Sequence, residues 1–75
     1  MTATKADNIR RAEDLLALIE AGIEATADIE RRYDLMAARD HVQTAIRLLK
    51  ADDDRAGSFL MACKAVLERM KGASA

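Results

Sequence analysis

The chain has no proline in its 75 residues, and this absence constrains the fold more than any other feature. Proline is the residue that most strongly interrupts a helix, so nothing in the chain forbids long helical segments. The composition points the same way. Sixteen residues are alanine, and leucine, arginine and glutamate are also abundant. These are the strongest helix formers. We therefore expect an all-α protein.

Apolar residues recur at steps of three and four positions in three segments, which predicts three amphipathic helices. The expected helices span about 5–23, 27–50 and 55–71. Thr4 suits the N-cap of the first helix, with Asp7 completing a capping box, and Thr26 offers an N-cap for the second. Gly72 suits a left-handed C-terminal cap, followed by a short disordered tail over 72–75. The alternative is that the first two helices form one continuous helix that runs through residue 50.

The lengths of these segments favour an antiparallel hairpin of helices one and two, with helix three packed against it. A single domain of 75 residues buries only about 60% of the surface that its unfolded chain exposes. The one cysteine, Cys63, rules out an internal disulfide, and no Cys/His cluster offers a structural zinc site. We therefore expect residues 1–75 to form a small helical bundle that dimerisation completes.

The charge balance argues against general attraction to phosphate. Twelve basic residues face thirteen acidic ones, giving a net charge of −1, whereas nucleic-acid-binding domains are usually basic. The N-terminal segment lacks the apolar core of a signal peptide. The longest apolar runs are far shorter than the roughly 20 residues of a membrane span. We expect a cytoplasmic protein without membrane contact, similar in general appearance to small bacterial helical proteins.

Three consecutive aspartates at 52–54 raise the question of a metal site. A calcium loop beginning at Asp52 would place Gly57 correctly, but Ala56 and Cys63 would stand where oxygen ligands are required. The other interpretation is that Asp53 or Asp54 caps the third helix and complements its dipole. The sequence favours this second interpretation.

No other residue pattern predicts catalysis, metal binding or a cofactor. His41, the only histidine, has no acid, nucleophile or ligand three or four positions away. Cys63 lies within an apolar stripe and is expected to fill the core. Phosphate-binding glycine loops and nucleophile elbows are also lacking. We expect no enzymatic activity.

Several large apolar residues lie off the main stripes, and such surplus apolar surface usually marks an interface. The predicted interface comprises Leu18, Ile29, Tyr33, Met36, Leu48 and Met61. Its charged rim comprises Arg32, Arg39, Arg47 and Lys50. Acidic residues border helix one, and Glu13 is expected opposite Arg39 and Glu20 opposite Arg31 or Arg32.

These features predict a non-enzymatic protein-interaction module, such as an adaptor, a chaperone-like protein or a regulatory subunit. It is expected to act as a homodimer, with a further protein partner as a possible occupant of the same surface. The alternative is a small regulator that contacts nucleic acid through the basic border of helix two.

Overall fold

The computed structural model describes residues 4–73, with side chains through residue 71. It contains three α-helices and no β-strand within this range: α1 (Lys5–Ala25), α2 (Ile29–Lys50) and α3 (Ala56–Ala73). The prediction of an all-α protein with three helices is confirmed. Of the predicted tail, residues 72 and 73 belong to α3, whereas 74–75 lie outside the described residues.

The start of α1 and the start of α2 are both fixed by short polar side chains. The Asp7 amide donates to Thr4 Oγ1 at 3.1 Å, and the Thr4 amide donates to Asp7 Oδ2 at 3.3 Å, forming a capping box. The N-cap of α2 is Asp28, whose carboxylate accepts from the amides of Glu30 and Arg31. Thr26 is therefore not the N-cap that its sequence position suggested, because its hydroxyl accepts from the Asp28 amide instead.

The end of α2 is a Schellman motif built on the first two aspartates of the 52–54 run. Asp52 has a φ of 55°, a left-handed conformation that aspartate tolerates better than most residues. Its amide donates to the Leu49 carbonyl at 3.2 Å, and the Asp53 amide donates to the Leu48 carbonyl at 2.9 Å. These two bonds satisfy carbonyls that the helix end would otherwise leave without partners.

Helix α2 lies between the other two helices and runs antiparallel to each. Lys5 at the start of α1 donates to the Lys50 carbonyl, whereas a methyl group on Gly22 would lie 3.4 Å from Leu35 Cδ1. On the other side, Arg69 near the end of α3 pairs with Asp34. Within the described residues, no Cα atom of α1 lies within 8 Å of a Cα atom of α3.

The core consists mainly of small side chains. The buried residues are Ala12, Ile19, Ala38, Val42, Ala45, Ile46, Ala56, Cys63 and Met70. Among the described side chains, the largest that are fully buried are Val42 and Cys63. The partly buried apolar residues that pack around this core are Leu15, Leu16, Ile23, Leu35, Leu49, Leu60, Val66 and Leu67. The three helices thus leave much of their leucine surface incompletely covered.

Candidate interaction surface

The six apolar residues predicted to form one interface are not brought together by the fold. Asp34 pairs with Arg69 of α3, and the ring of His41 lies 6.4 Å from the ring of Phe59, which also belongs to α3. The side of α2 that carries Asp34 and His41 therefore faces α3. Met36, two positions after Asp34, projects about 200° from that side at 100° per residue. The α2 surface around Met36 therefore points away from α3.

Three of the six residues do share a surface, on the side of α2 that faces away from α3. Ile29 and Tyr33 are 65% and 68% exposed, and Met36 is 37% exposed. Together with Arg32 they line one open groove. We call these four residues the outer patch. Because three apolar side chains and one guanidinium are contiguous there, the outer patch has the composition of a protein-binding surface.

The other three predicted interface residues lie elsewhere. Leu48 is half-buried and lines a groove with Phe59 of α3, so it contributes to packing between helices. Met61 is exposed on α3 beside Lys64 and Glu68. Leu18 is exposed on α1. It precedes Glu20 by two positions, so its side chain projects about 200° from that of Glu20, on the other side of the helix.

Opposite charges follow two neighbouring helices on one side of the molecule. The basic edge of α2 is Arg32, Arg39, Arg47 and Lys50, and the acidic edge of α1 is Glu13, Glu20 and Glu24. All of these are exposed except Arg39, which is half-exposed. Glu13 and Leu16 of α1 line a shallow groove with Gln43 and Arg47 of α2, which shows that the two edges border the same face.

The two edges do not pair with each other within the chain. The ion pairs found among the described side chains join Lys5 to Asp52, Arg55 to Asp53, and Arg69 to Asp34. The predicted pair between Glu13 and Arg39 is not one of them. The three glutamates of the acidic edge are exposed to solvent.

Two of the three aspartates at 52–54, Asp52 and Asp53, are held by cations of the protein itself. Lys5 Nζ lies 3.1 Å from Asp52 Oδ2. Arg55 donates to both carboxylate oxygens of Asp53, with the shortest distance 2.7 Å, and its amide donates to Asp53 Oδ1 at 2.9 Å. Residues 4–73 contain no group of three or more His, Cys, Asp or Glu side chains placed to hold a metal ion.

The hydrogen bonds from the Arg55 side chain, followed by the bond from its amide, lower the pKa of Asp53 from 3.8 to about 2. Because the pKa of the folded state lies below that of the unfolded state, ionised Asp53 stabilises the fold above about pH 4. This contribution is lost as the pH falls towards 2. Its size is modest, because the pair is exposed to solvent.

We expect Asp53→Asn to lower the melting temperature slightly at pH 7 and to differ less from the parent at pH 2, where about half of the parent carboxyl groups are protonated in the folded state. Thermal melts followed by circular dichroism between pH 2 and pH 7 test this. Asp54→Asn is the matched control, since the Asp54 carboxylate makes no ion pair within residues 4–73. A difference between parent and Asp53→Asn that is constant with pH contradicts the assignment.

The remaining reactive side chains take part in packing. Cys63 is fully buried, and burial raises the pKa of its thiol. A thiol is a nucleophile only as the thiolate, so this environment does not activate it. His41 is half-buried against the Phe59 ring, with the two rings inclined at 44°.

No protein-family model, no curated protein and no solved structure matches the chain. No helix within residues 4–73 has both the length and the apolar composition that a membrane crossing requires. The candidate surface therefore has to be interpreted from its own chemistry.

Proposed function

We propose that this protein is a non-enzymatic helical interaction module that acts as a homodimer, in an adaptor, chaperone-like or regulatory role. The observation that carries this proposal is the outer patch, where Ile29, Tyr33 and Met36 are exposed side by side. A single exposed apolar residue is ordinary on a protein surface, whereas a contiguous group usually marks an interface.

The shape of the outer patch favours a protein over a small molecule. Its groove is open and is lined by four residues of a single helix, whereas small-molecule sites are concave clefts that bury most of the ligand. Its residue types are also those that interfaces prefer, because tyrosine, methionine and arginine are enriched there. Tyr33 and Arg32 have the side chains most often found to dominate binding energy.

The incomplete burial of the core favours a second copy as the partner. Leucines on all three helices, such as Leu15, Leu35 and Leu60, pack around the core but are only partly buried. Closed two-fold dimers are the commonest oligomers of soluble proteins. Because Val42 and Cys63 are the largest fully buried side chains among the described residues, added burial in a dimer makes a substantial contribution to stability.

Sedimentation equilibrium over a wide concentration range tests the proposal, with Tyr33→Asp and Met36→Asp beside the parent chain. We expect a dimer for the parent chain and a weaker dimer for each variant, because burying a carboxylate in an apolar contact costs several kcal/mol. Helix content should stay nearly unchanged, since both side chains are exposed in the monomer.

Met61→Asp is the matched control, because it makes the same change at an exposed methionine on α3, away from the outer patch. We expect this variant to dimerise like the parent chain. A monomeric parent chain contradicts the proposal of a homodimer. Equal effects of Met36→Asp and Met61→Asp contradict the choice of surface.

Binding of nucleic acid through the basic edge is a second candidate. It is favoured by one observation, namely that Arg32, Arg39 and Arg47 make no ion pair among the described side chains. Fluorescence anisotropy with labelled DNA and RNA at low salt, repeated with Arg39→Glu and Arg47→Glu, separates the two candidates. Phosphate contacts strengthen as salt falls, so no binding at low salt eliminates this second function.

A further inference from the structure

We propose that the second copy docks on the shared face of α1 and α2, about a two-fold axis parallel to the helices. In this arrangement α1 of each copy lies over α2 of its partner. The inference rests on the proposed homodimer and specifies its surface and symmetry.

The first argument is charge. The acidic edge of α1 and the basic edge of α2 border one face, as the groove shared by Glu13 and Arg47 shows. Arg10 of α1 and Asp40 of α2 carry the reverse signs, but α1 remains net negative and α2 net positive on this side. A face with one negative half and one positive half is complementary to a second copy in a suitable orientation.

The second argument is symmetry. A two-fold axis parallel to the helices places α1 of each copy over α2 of the other. The acidic edge of each copy therefore meets the basic edge of its partner, which gives two equivalent contacts. A two-fold axis perpendicular to the helices would place each helix over its own copy and bring glutamate against glutamate. Like charges directly opposed in an interface are strongly unfavourable. Only the parallel axis satisfies the charges of this face.

The third argument is the register along the helices. Lys5 contacts Lys50, and Gly22 lies beside Leu35. These two contacts fix which residues of α1 and α2 lie at the same level, that is, at the same height along the helix axes. By interpolation Glu20 is level with Met36, and Glu24 is level with Arg32. Rotation about a parallel axis keeps these levels, so Glu24 of one copy lies level with Arg32 of the other, and Glu20 lies level with Met36, between Arg32 and Arg39.

The fourth argument is side-chain size. Ala17 and Ala21 are exposed beside the glutamates of the acidic edge, and Ala21 is level with the end of the outer patch at Met36. The large side chains of Tyr33 and Met36 are exposed on α2. With α1 over α2, small side chains of one copy meet large side chains of the other, which allows the close packing of a four-helix arrangement.

A charge-exchange experiment tests the surface. One variant replaces the acidic edge with lysines (Glu13→Lys, Glu20→Lys and Glu24→Lys). The other replaces three arginines of the basic edge with glutamates (Arg32→Glu, Arg39→Glu and Arg47→Glu). We expect each variant alone to dimerise about a hundredfold more weakly than the parent chain, because like charges then face each other.

Mixing the two variants in equal amounts should restore a dimer that contains one chain of each, measured by sedimentation and native mass spectrometry. The restoration also shows that both variants still fold. A monomeric parent chain overturns the homodimer and this inference together. A dimeric parent whose two variants self-associate as tightly as it does overturns only the surface proposed here.

Disulfide trapping tests the axis. We expect a mixture of Glu20→Cys and Met36→Cys chains to give a disulfide-linked heterodimer on mild oxidation, because these positions are level and belong to facing helices. Glu20→Cys chains alone should not cross-link, and native Cys63 is fully buried and does not compete. Efficient cross-linking of Glu20→Cys with itself overturns the parallel axis and supports the perpendicular one.

Discussion

Val42→Asp is expected to abolish folding. Val42 is fully buried in α2, and none of the described polar or charged side chains is buried with it. A carboxylate at this position would have neither water nor a cation beside it, which costs on the order of 4 kcal/mol or more. A domain of this length has a total stability of roughly 4–11 kcal/mol, so the loss removes most or all of it.

Circular dichroism at 222 nm against temperature and urea measures the effect. Met61→Asp is the matched control, because it places the same carboxylate at an exposed apolar position of α3. The control should melt close to the parent chain. A cooperative unfolding transition of Val42→Asp within about 5 °C of the parent, a shift that corresponds to roughly 1 kcal/mol in a domain of this size, would contradict the position given to Val42.

Ala38→Leu is expected to destabilise the fold by roughly 1–3 kcal/mol. Ala38 is fully buried in the helix that packs against both α1 and α3. Added methyl groups have no space there and force the neighbouring helices apart. Each kcal/mol lowers the melting temperature of a small domain by about 4–8 °C, so the change is readily measured by thermal melts.

Ala65→Leu is the control for the Ala38 substitution, because Ala65 is exposed on the outer surface of α3. The two substitutions have the same small effect on helix propensity, so any difference between them reflects packing alone. If both variants melt at the same temperature, the space around Ala38 is larger than the structure indicates.

The helices could be predicted from the sequence because their determinants are local. The three- and four-residue recurrence of apolar positions gave the number and order of the helices, and Thr4 and Asp7 form the capping box that their spacing indicates. The N-cap of α2 was placed wrongly at Thr26, because Thr26 and Asp28 are both good capping residues two positions apart. Capping preference alone cannot decide between these two residues, because the packing of α1 against α2 determines where the connecting turn ends.

The candidate surface was predictable only in part, because it depends on which side of α2 each neighbour occupies. Leu48 lies off the stripe through Val42 and was therefore assigned to the predicted interface. In the structure it lines a groove with Phe59, because α2 contacts two helices and its buried arc is wider than one stripe. Ile29, Tyr33 and Met36 lie outside even that wider arc. Their role in binding stays a prediction.

The central position of α2 also bears on how fast the chain folds. Within the described residues, close backbone contacts join only helices that follow one another in sequence. Each hairpin, α1 with α2 or α2 with α3, can therefore form by closing one short turn, without waiting for the third helix. Proteins whose contacts are this local fold in microseconds to milliseconds. A newly made chain accordingly exposes its unpaired leucines only briefly.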